Sequence, residues 1–205
     1  MLTTFPNNPG YLLQSLTKDE LEPIWAEINC YPESGSDPVL HQSEKNFYLS
    51  NSRNYIEHLL APYVTEYING FKFNLHLDRN DVSNQLQLND TWVTFQKKYD
   101  FNPAHCHRGQ LSFVIWLKIP YTFEQEKNVA VRSQLDQGSK HLNGDFHFQW
   151  IDTTGAIRSH SMEADNKLEG HLCIFASSLY HQVFPYYSTD DTRISISGNW
   201  GFKTN

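Results

Sequence analysis

Arg193-Ile194-Ser195-Ile196-Ser197-Gly198-Asn199-Trp200 is the stretch on which the fold turns. Successive side chains of a strand point to opposite faces. Arg193, Ser195, Ser197 and Asn199 therefore share one face, and Ile194, Ile196 and Trp200 share the other. The apolar face packs on a hydrophobic layer. The polar face has two destinations: bulk water, or the interior of a barrel that holds a charged ligand. In the second case the guanidinium pairs with a carboxylate through its planar fork, and Ser195 adds a hydroxyl donor.

The segments upstream have the same character. Trp92–Phe95, Leu111–Ile119, Asp145–Trp150 and His171–Phe175 are rich in β-branched and aromatic residues. Turn residues separate them, as in Asn143-Gly144 and Asp152-Thr153-Thr154-Gly155. Nearer the N-terminus the period changes to that of helices. Leu21, Ile24, Trp25 and Ile28 recur at i, i+3, i+4, i+7, with Asp19 and Glu22 placed for a capping box. Ile56, Leu59, Leu60, Tyr63, Val64, Tyr67 and Ile68 form a second such face, with Pro62 as a kink point and Asn69-Gly70 as a stop signal. Helices followed by many short strands predict an α+β chain, a β-sandwich or squashed barrel backed by N-terminal helices. The expected layout is one domain over 1–205, with 1–85 as helical support and 86–205 as the barrel.

Composition narrows the function. The chain has 205 residues, 39% hydrophobic and 14% aromatic, enough for a folded core. Its formal charge is −7 and Lys97-Lys98 is its one Lys/Arg doublet, so no nucleic-acid-binding surface is expected. No apolar run reaches the ~18–20 residues of a membrane span. Three cysteines, an odd number, make no disulfide framework, and the N-terminus lacks a signal-peptide pattern. A cytoplasmic protein is the expectation.

The chemistry-bearing segment is Asn102-Pro103-Ala104-His105-Cys106-His107-Arg108-Gly109. In extended backbone His105 and His107 point the same way and Cys106 the other, so the two imidazoles can chelate a metal. A second segment, Ser177-Ser178-Leu179-Tyr180-His181-Gln182-Val183, sets His181 among apolar and aromatic residues. Taken alone, His181 reads as a core histidine. Beside the other two segments that reading gives way, and His181 joins the candidate site residues.

These three segments, with Leu111–Leu117, Gly144–Phe148 and Glu169–Phe175 between them, resemble the Fe(II)/2-oxoglutarate oxygenases over about Trp92–Trp200. The resemblance is to the prolyl-4-hydroxylase-like branch, including members from marine phages and bacteria. It implies a double-stranded β-helix, the jelly-roll or cupin-like core. It implies Fe(II) held by His105, His107 and His181, 2-oxoglutarate as co-substrate and O2 as oxidant. Arg193 and Ser195 would hold the distal carboxylate of 2-oxoglutarate. Asn199 shares their face and is grouped with them. Trp116 stands where some relatives carry a tyrosine near that carboxylate. The reaction implied is hydroxylation of a C–H bond with release of succinate and carbon dioxide. The substrate would be a peptide or protein side chain such as proline, or a small molecule. The family's first motif is H-x-D/E, whereas here His107 takes the carboxylate position, with Asp100 and Asp145 as alternative ligands. Two other readings compete: a three-histidine cupin dioxygenase that uses no keto acid, and a jelly-roll binding protein without catalysis. The polar stretch 121–143 reads as a long loop at the barrel mouth that closes over the site.

Overall fold

The computed structural model describes residues 10–31, 46–71, 85–129, 142–152 and 154–203. Strand β1 (Tyr11–Ser15) leads into helix α1 (Lys18–Ile28), then β2 (Asn46–Tyr48) and helix α2 (Arg53–Phe71). The strands β3 (Leu86–Gln96), β4 (Asn102–His105) and β5 (Leu111–Lys118) follow, then a short helix α3 (Phe123–Lys127). The chain continues through β6 (Phe146–Ile151), β7 (Ile157–Met162), β8 (His171–Ala176), β9 (Tyr180–Val183) and β10 (Arg193–Phe202).

Two antiparallel sheets face one another. The larger has the order β1-β8-β5-β10-β3-β2 and the smaller β4-β9-β6-β7. This is the double-stranded β-helix that the resemblance implies, and it agrees with the barrel or sandwich read from the alternation. β1 and β2 lie within the segment read as helical support, so that reading is incomplete: both add edge strands to the larger sheet. β1 escapes a periodicity search because its edge position leaves it largely uncovered.

Two apolar layers follow from strand parity. Ile194, Ile196 and Trp200 join Phe113, Ile115, Leu172 and Ile174 in a core shared with Ile24, Ile28, Ile56, Leu60 and Val64 of the helices. The opposite faces of the same strands supply Val114, Trp116, Cys173 and Phe175 to a second core, with Phe146 and Phe148 of the smaller sheet. β3 feeds the helix-side layer out of step. Leu86 and Leu88 face the helices at even positions, while Val93 and Phe95 do so at odd ones. The switch occurs at Asn89, which the register skips: Trp200 pairs with Leu88 and Asn199 with Asp90. One extra residue in a strand exchanges its faces.

The helices differ from expectation at their ends. Thr17, not Asp19, is the N-cap of α1, and its capping box is closed by Glu20. α2 runs through Pro62 as one helix and passes Gly70, ending at Phe71, because Tyr67 and Ile68 remain buried against the sheet. Among the described residues no helix is long and apolar enough to cross a membrane.

Glu27 ties the two helices together. Its carboxylate accepts from the backbone N–H groups of Asn51 and Ser52, the Ser52 hydroxyl and the Tyr31 hydroxyl. Burial pushes its pKa up, but these bonds outweigh burial and leave it below its ordinary value. A depressed carboxyl contributes stability that is present above the unfolded pKa of about 4.3 and lost as pH falls through the folded pKa. Glu27→Gln is therefore expected to cost about 1–3 kcal/mol at pH 7, the scale of hydrogen bonds to a charged group, and much less near pH 3. Urea denaturation at both values measures this. A gap of equal size at each would assign the loss to packing.

Candidate metal centre

β4 and β9 pair so that His105 stands opposite His181. Two residues after His105 the chain has left the strand, and the His107 backbone N–H donates to the carbonyl of Ser177 at 2.9 Å. The three imidazoles converge. One ring nitrogen from each lies within 4.8 Å of the others, and the ring centroids are 4.4–5.1 Å apart. Among the described residues no carboxylate joins this group. Asp100 instead caps its own turn, accepting from the Lys97 N–H. Asp145 is buried and accepts from the Ser161 hydroxyl. Both fall outside the cluster, which corrects their standing as alternative ligands.

The donor set suits a metal. Nδ1 of His105 is 2.7 Å from the Pro103 carbonyl and Nδ1 of His181 is 3.0 Å from the Leu179 carbonyl. A carbonyl accepts only, so each Nδ1 carries the proton and each Nε2 is left with its lone pair. His181 is walled by Phe146 and Phe175. Burial, reinforced by His105, pushes His107 down to about 4; burial also pushes His181 down to about 3, against the pull of its bond to Leu179. Both rings are neutral at pH 7 and need lose no proton to bind a cation. The ring of His107 differs from the other two. Its neighbour is Trp92, at 5.9 Å between centroids, and among the described residues it has no hydrogen-bond partner.

The histidines open on a cavity of about 400 Å³ between the sheets. Trp92, Thr94 and Gln96 of β3, Trp116 of β5, and Arg193, Ser195 and Ser197 of β10 line it. The register stacks them in rows: Ser197 lies between Trp92 and Val114, Ser195 between Thr94 and Trp116, and Arg193 beside Gln96. Trp92 is at the His107 end and Gln96 at the Arg193 end, four residues or roughly 13 Å of strand apart.

Arg193 is only 2% exposed. Its Nε donates to Gln96 Oε1, one terminal nitrogen donates to the Tyr121 hydroxyl at 2.6 Å and the Gly144 carbonyl at 3.0 Å, and the other reaches the Phe184 carbonyl only at 3.4 Å. Tyr121 and Tyr186 stack beside it. Every one of these partners is neutral, and the second terminal nitrogen keeps an N–H in hand. A buried guanidinium without an anion is costly. A guanidinium so held is a chemical match for a carboxylate.

The sequence reading missed Tyr121, Gln96 and Gly144. Tyr121 falls at the head of the stretch read as a loop over 121–143, and that part of the reading is corrected. Tyr121 is buried, and α3 is capped by Thr122 with Gln125. The buried Glu126 carboxylate accepts from the N–H groups of Tyr187 and Ser188. The rest of the expected lid, 130–141, lies outside the described residues. The signal available was the apolar run Ile119-Pro120-Tyr121 directly after β5. The tyrosine hydroxyl that accepts from Arg193 is thus that of Tyr121, while Trp116 lines the cavity one row away. Asn199 also departs from expectation. It lies beyond the cavity lining, with its amide bonded to Ser112 and Asp90.

No curated protein matches the sequence. Solved structures match the fold. The chain is 17% identical to a Pseudomonas putida prolyl-4-hydroxylase, with a TM-score of 0.56, covering 96% of this chain and 94% of that one. A Burkholderia pseudomallei oxidoreductase of the 2OG-Fe(II) oxygenase family gives 15% identity and a TM-score of 0.56, over 94% and 84%. A viral collagen prolyl hydroxylase from Paramecium bursaria Chlorella virus-1 gives 13% and 0.52, over 95% and 96%. The family model for 2OG-Fe(II) oxygenases matches residues 90–199, more than half of the chain, including every residue of β3, β5 and β10 that lines the cavity. The chain belongs to the 2OG-Fe(II) oxygenase family, whose members work with Fe(II), 2-oxoglutarate and O2.

Proposed function

We propose that this dioxygenase holds Fe(II) through Nε2 of His105 and His181 and a ring nitrogen of His107. Arg193 would hold the distal carboxylate of its 2-oxoglutarate in the cavity. Ser195 donates to that carboxylate from the neighbouring row, and Tyr121 fixes the guanidinium from behind. Trp116 forms the wall beside the co-substrate. The bound iron supplies O2 activation and the oxidation of a C–H bond, coupled to conversion of 2-oxoglutarate to succinate and carbon dioxide. The chain's own residues orient the keto acid between metal and guanidinium and exclude water with Phe146, Val114 and Trp116. The observation that carries this reading is one cavity with three convergent imidazoles at one end and a buried guanidinium with only neutral partners at the other.

The substrate we propose is a peptide or protein side chain, prolyl in the first instance. Its support is the likeness in fold to a prolyl-4-hydroxylase and to a collagen prolyl hydroxylase, an analogy at the level of fold. The expected result is O2- and Fe(II)-dependent release of succinate from 2-oxoglutarate, increased by a prolyl peptide that gains one oxygen in its mass spectrum. Succinate release that ignores every peptide would redirect the search to small molecules. Metal-dependent O2 uptake that needs no keto acid would sink the reading in favour of a cupin-type dioxygenase.

A further inference from the structure

Below the last cavity row lies a buried polar chain that the proposed chemistry does not use. Asp90, Asn199 and Ser112 form the next row of the larger sheet, on the same face as Trp92, Ser197 and Val114. The Asn199 amide donates to Asp90 Oδ1 at 3.0 Å, and the Ser112 hydroxyl donates to Asn199 Oδ1 at 2.7 Å. Ser112 has one hydroxyl proton and has spent it. The 2.9 Å contact between the Ser112 and Ser177 hydroxyls therefore has Ser177 as donor. All donors run one way, toward the Asp90 carboxylate. Ser112, Ser177 and Asn199 are each less than a tenth exposed.

Ser177 is where this chain meets the metal centre. Its carbonyl accepts from the His107 N–H and its own N–H donates to the Gln110 carbonyl. Four residues later in sequence stands His181. The loop between His107 and β5 is closed again where the Gln110 N–H donates to the Trp200 carbonyl at 2.7 Å. Gly109 makes that closure feasible: its φ is +119°, and a Cβ there would stand 2.9 Å from the Trp200 carbonyl oxygen. His105 and His181 are each steered by a ring hydrogen bond to a carbonyl, and among the described residues the His107 ring has none. Its position depends on its main chain, and its main chain hangs on Ser177.

We infer that Asp90, Asn199 and Ser112 are positioning residues for the metal centre, which set His107 against His181 by fixing Ser177. This rests on the three-histidine reading of the site. It gives Asn199 a task at the metal end of the cavity instead of the co-substrate end.

The test is Co(II) binding, followed by titration and by visible d–d absorption, in the full chain without co-substrate. Ser112→Ala leaves the Ser177 hydroxyl without its acceptor and is expected to weaken Co(II) affinity about tenfold, at the low end of the 10–100-fold found for partners of metal ligands, and to alter the d–d bands. Asn199→Ala should do the same, and Ser112→Thr, which keeps the hydroxyl, should restore both. The KM for 2-oxoglutarate at saturating Fe(II) should hold. Ile115→Val, a change on the helix side of the same strand, serves as control for general loosening, with the melting temperature measured for every variant. Wild-type affinity and spectrum in folded Ser112→Ala and Asn199→Ala would overturn the inference. So would an equal loss in Ile115→Val at matched melting temperature. Failure of the unsubstituted protein to bind Co(II), or unchanged binding in His181→Ala, would instead bring down the three-histidine reading beneath it.

Discussion

Arg193→Ala is expected to lose at least a hundredfold in 2-oxoglutarate affinity while still binding metal. Removing one partner of a buried charged pair costs on the order of 3–5 kcal/mol, and each 1.4 kcal/mol is tenfold. The geometry says where the loss falls. The guanidinium is locked by Gln96, Tyr121 and Gly144 with a terminal N–H left over, so the incoming carboxylate meets a donor already oriented for it. Arg193→Lys keeps the charge but not the fork. A lysine cannot satisfy Gln96, Tyr121 and Gly144 and still present a directed donor to the cavity. It should fall between wild type and alanine. Calorimetric titration of 2-oxoglutarate into the metal-loaded protein reads both. Unchanged affinity in Arg193→Ala would overturn the placement of the co-substrate.

His181→Ala should have the other large effect, a fall in metal affinity beyond the 10–100-fold typical of losing a mere partner of a ligand. Succinate formation should go with it. His181 is the most enclosed of the three, between Phe146 and Phe175, so no nearby side chain or stable water shell substitutes for it. The position that departs from the family's H-x-D/E motif gives a sharper comparison. His107→Leu should lose metal as His181→Ala does, whereas His107→Asp should keep it, since the chain there is set by the Ser177 carbonyl and not by the ring. The aspartate would also remove one unit of positive charge from the loaded site, which changes its reactivity more than its occupancy. Wild-type metal binding in His107→Leu would leave a two-histidine site and return the search to a further ligand.

Much of this was legible because β10 alternates apolar and polar residues. In β10 Ile194, Ile196 and Trp200 face the helices while Arg193, Ser195 and Ser197 line the cavity, so the face that Arg193 takes could be read from parity. His105 and His107 followed from their spacing. What could not be read depends on contacts remote in sequence. Tyr121 meets Arg193 across 72 residues; the short apolar run Ile119-Pro120-Tyr121 marks it as buried but does not name its partner. β1 and β2 are edge strands whose pattern is diluted by one-sided pairing. Asn199 obeys the alternation and still misses the cavity, because parity gives a residue's face and not its depth. Asp145 was an alternative ligand by its place in a motif-bearing segment, yet its carboxylate turns to Ser161.

The unpaired Asn89 in β3 makes chain length itself a functional variable. Upstream of it the strand belongs to the helix-facing layer at even positions; downstream the even positions are Asp90, Trp92, Thr94 and Gln96, which touch either the cavity or the chain beneath it. Any homologue that lacks this one residue must re-phase the strand, sending Val93 and Phe95 toward the ligand and Trp92 and Gln96 into the helices, or else change its pairing with β10. An alignment that scores residue identity alone would pass over such a change. Counting the residues between Leu88 and Trp92 would catch it.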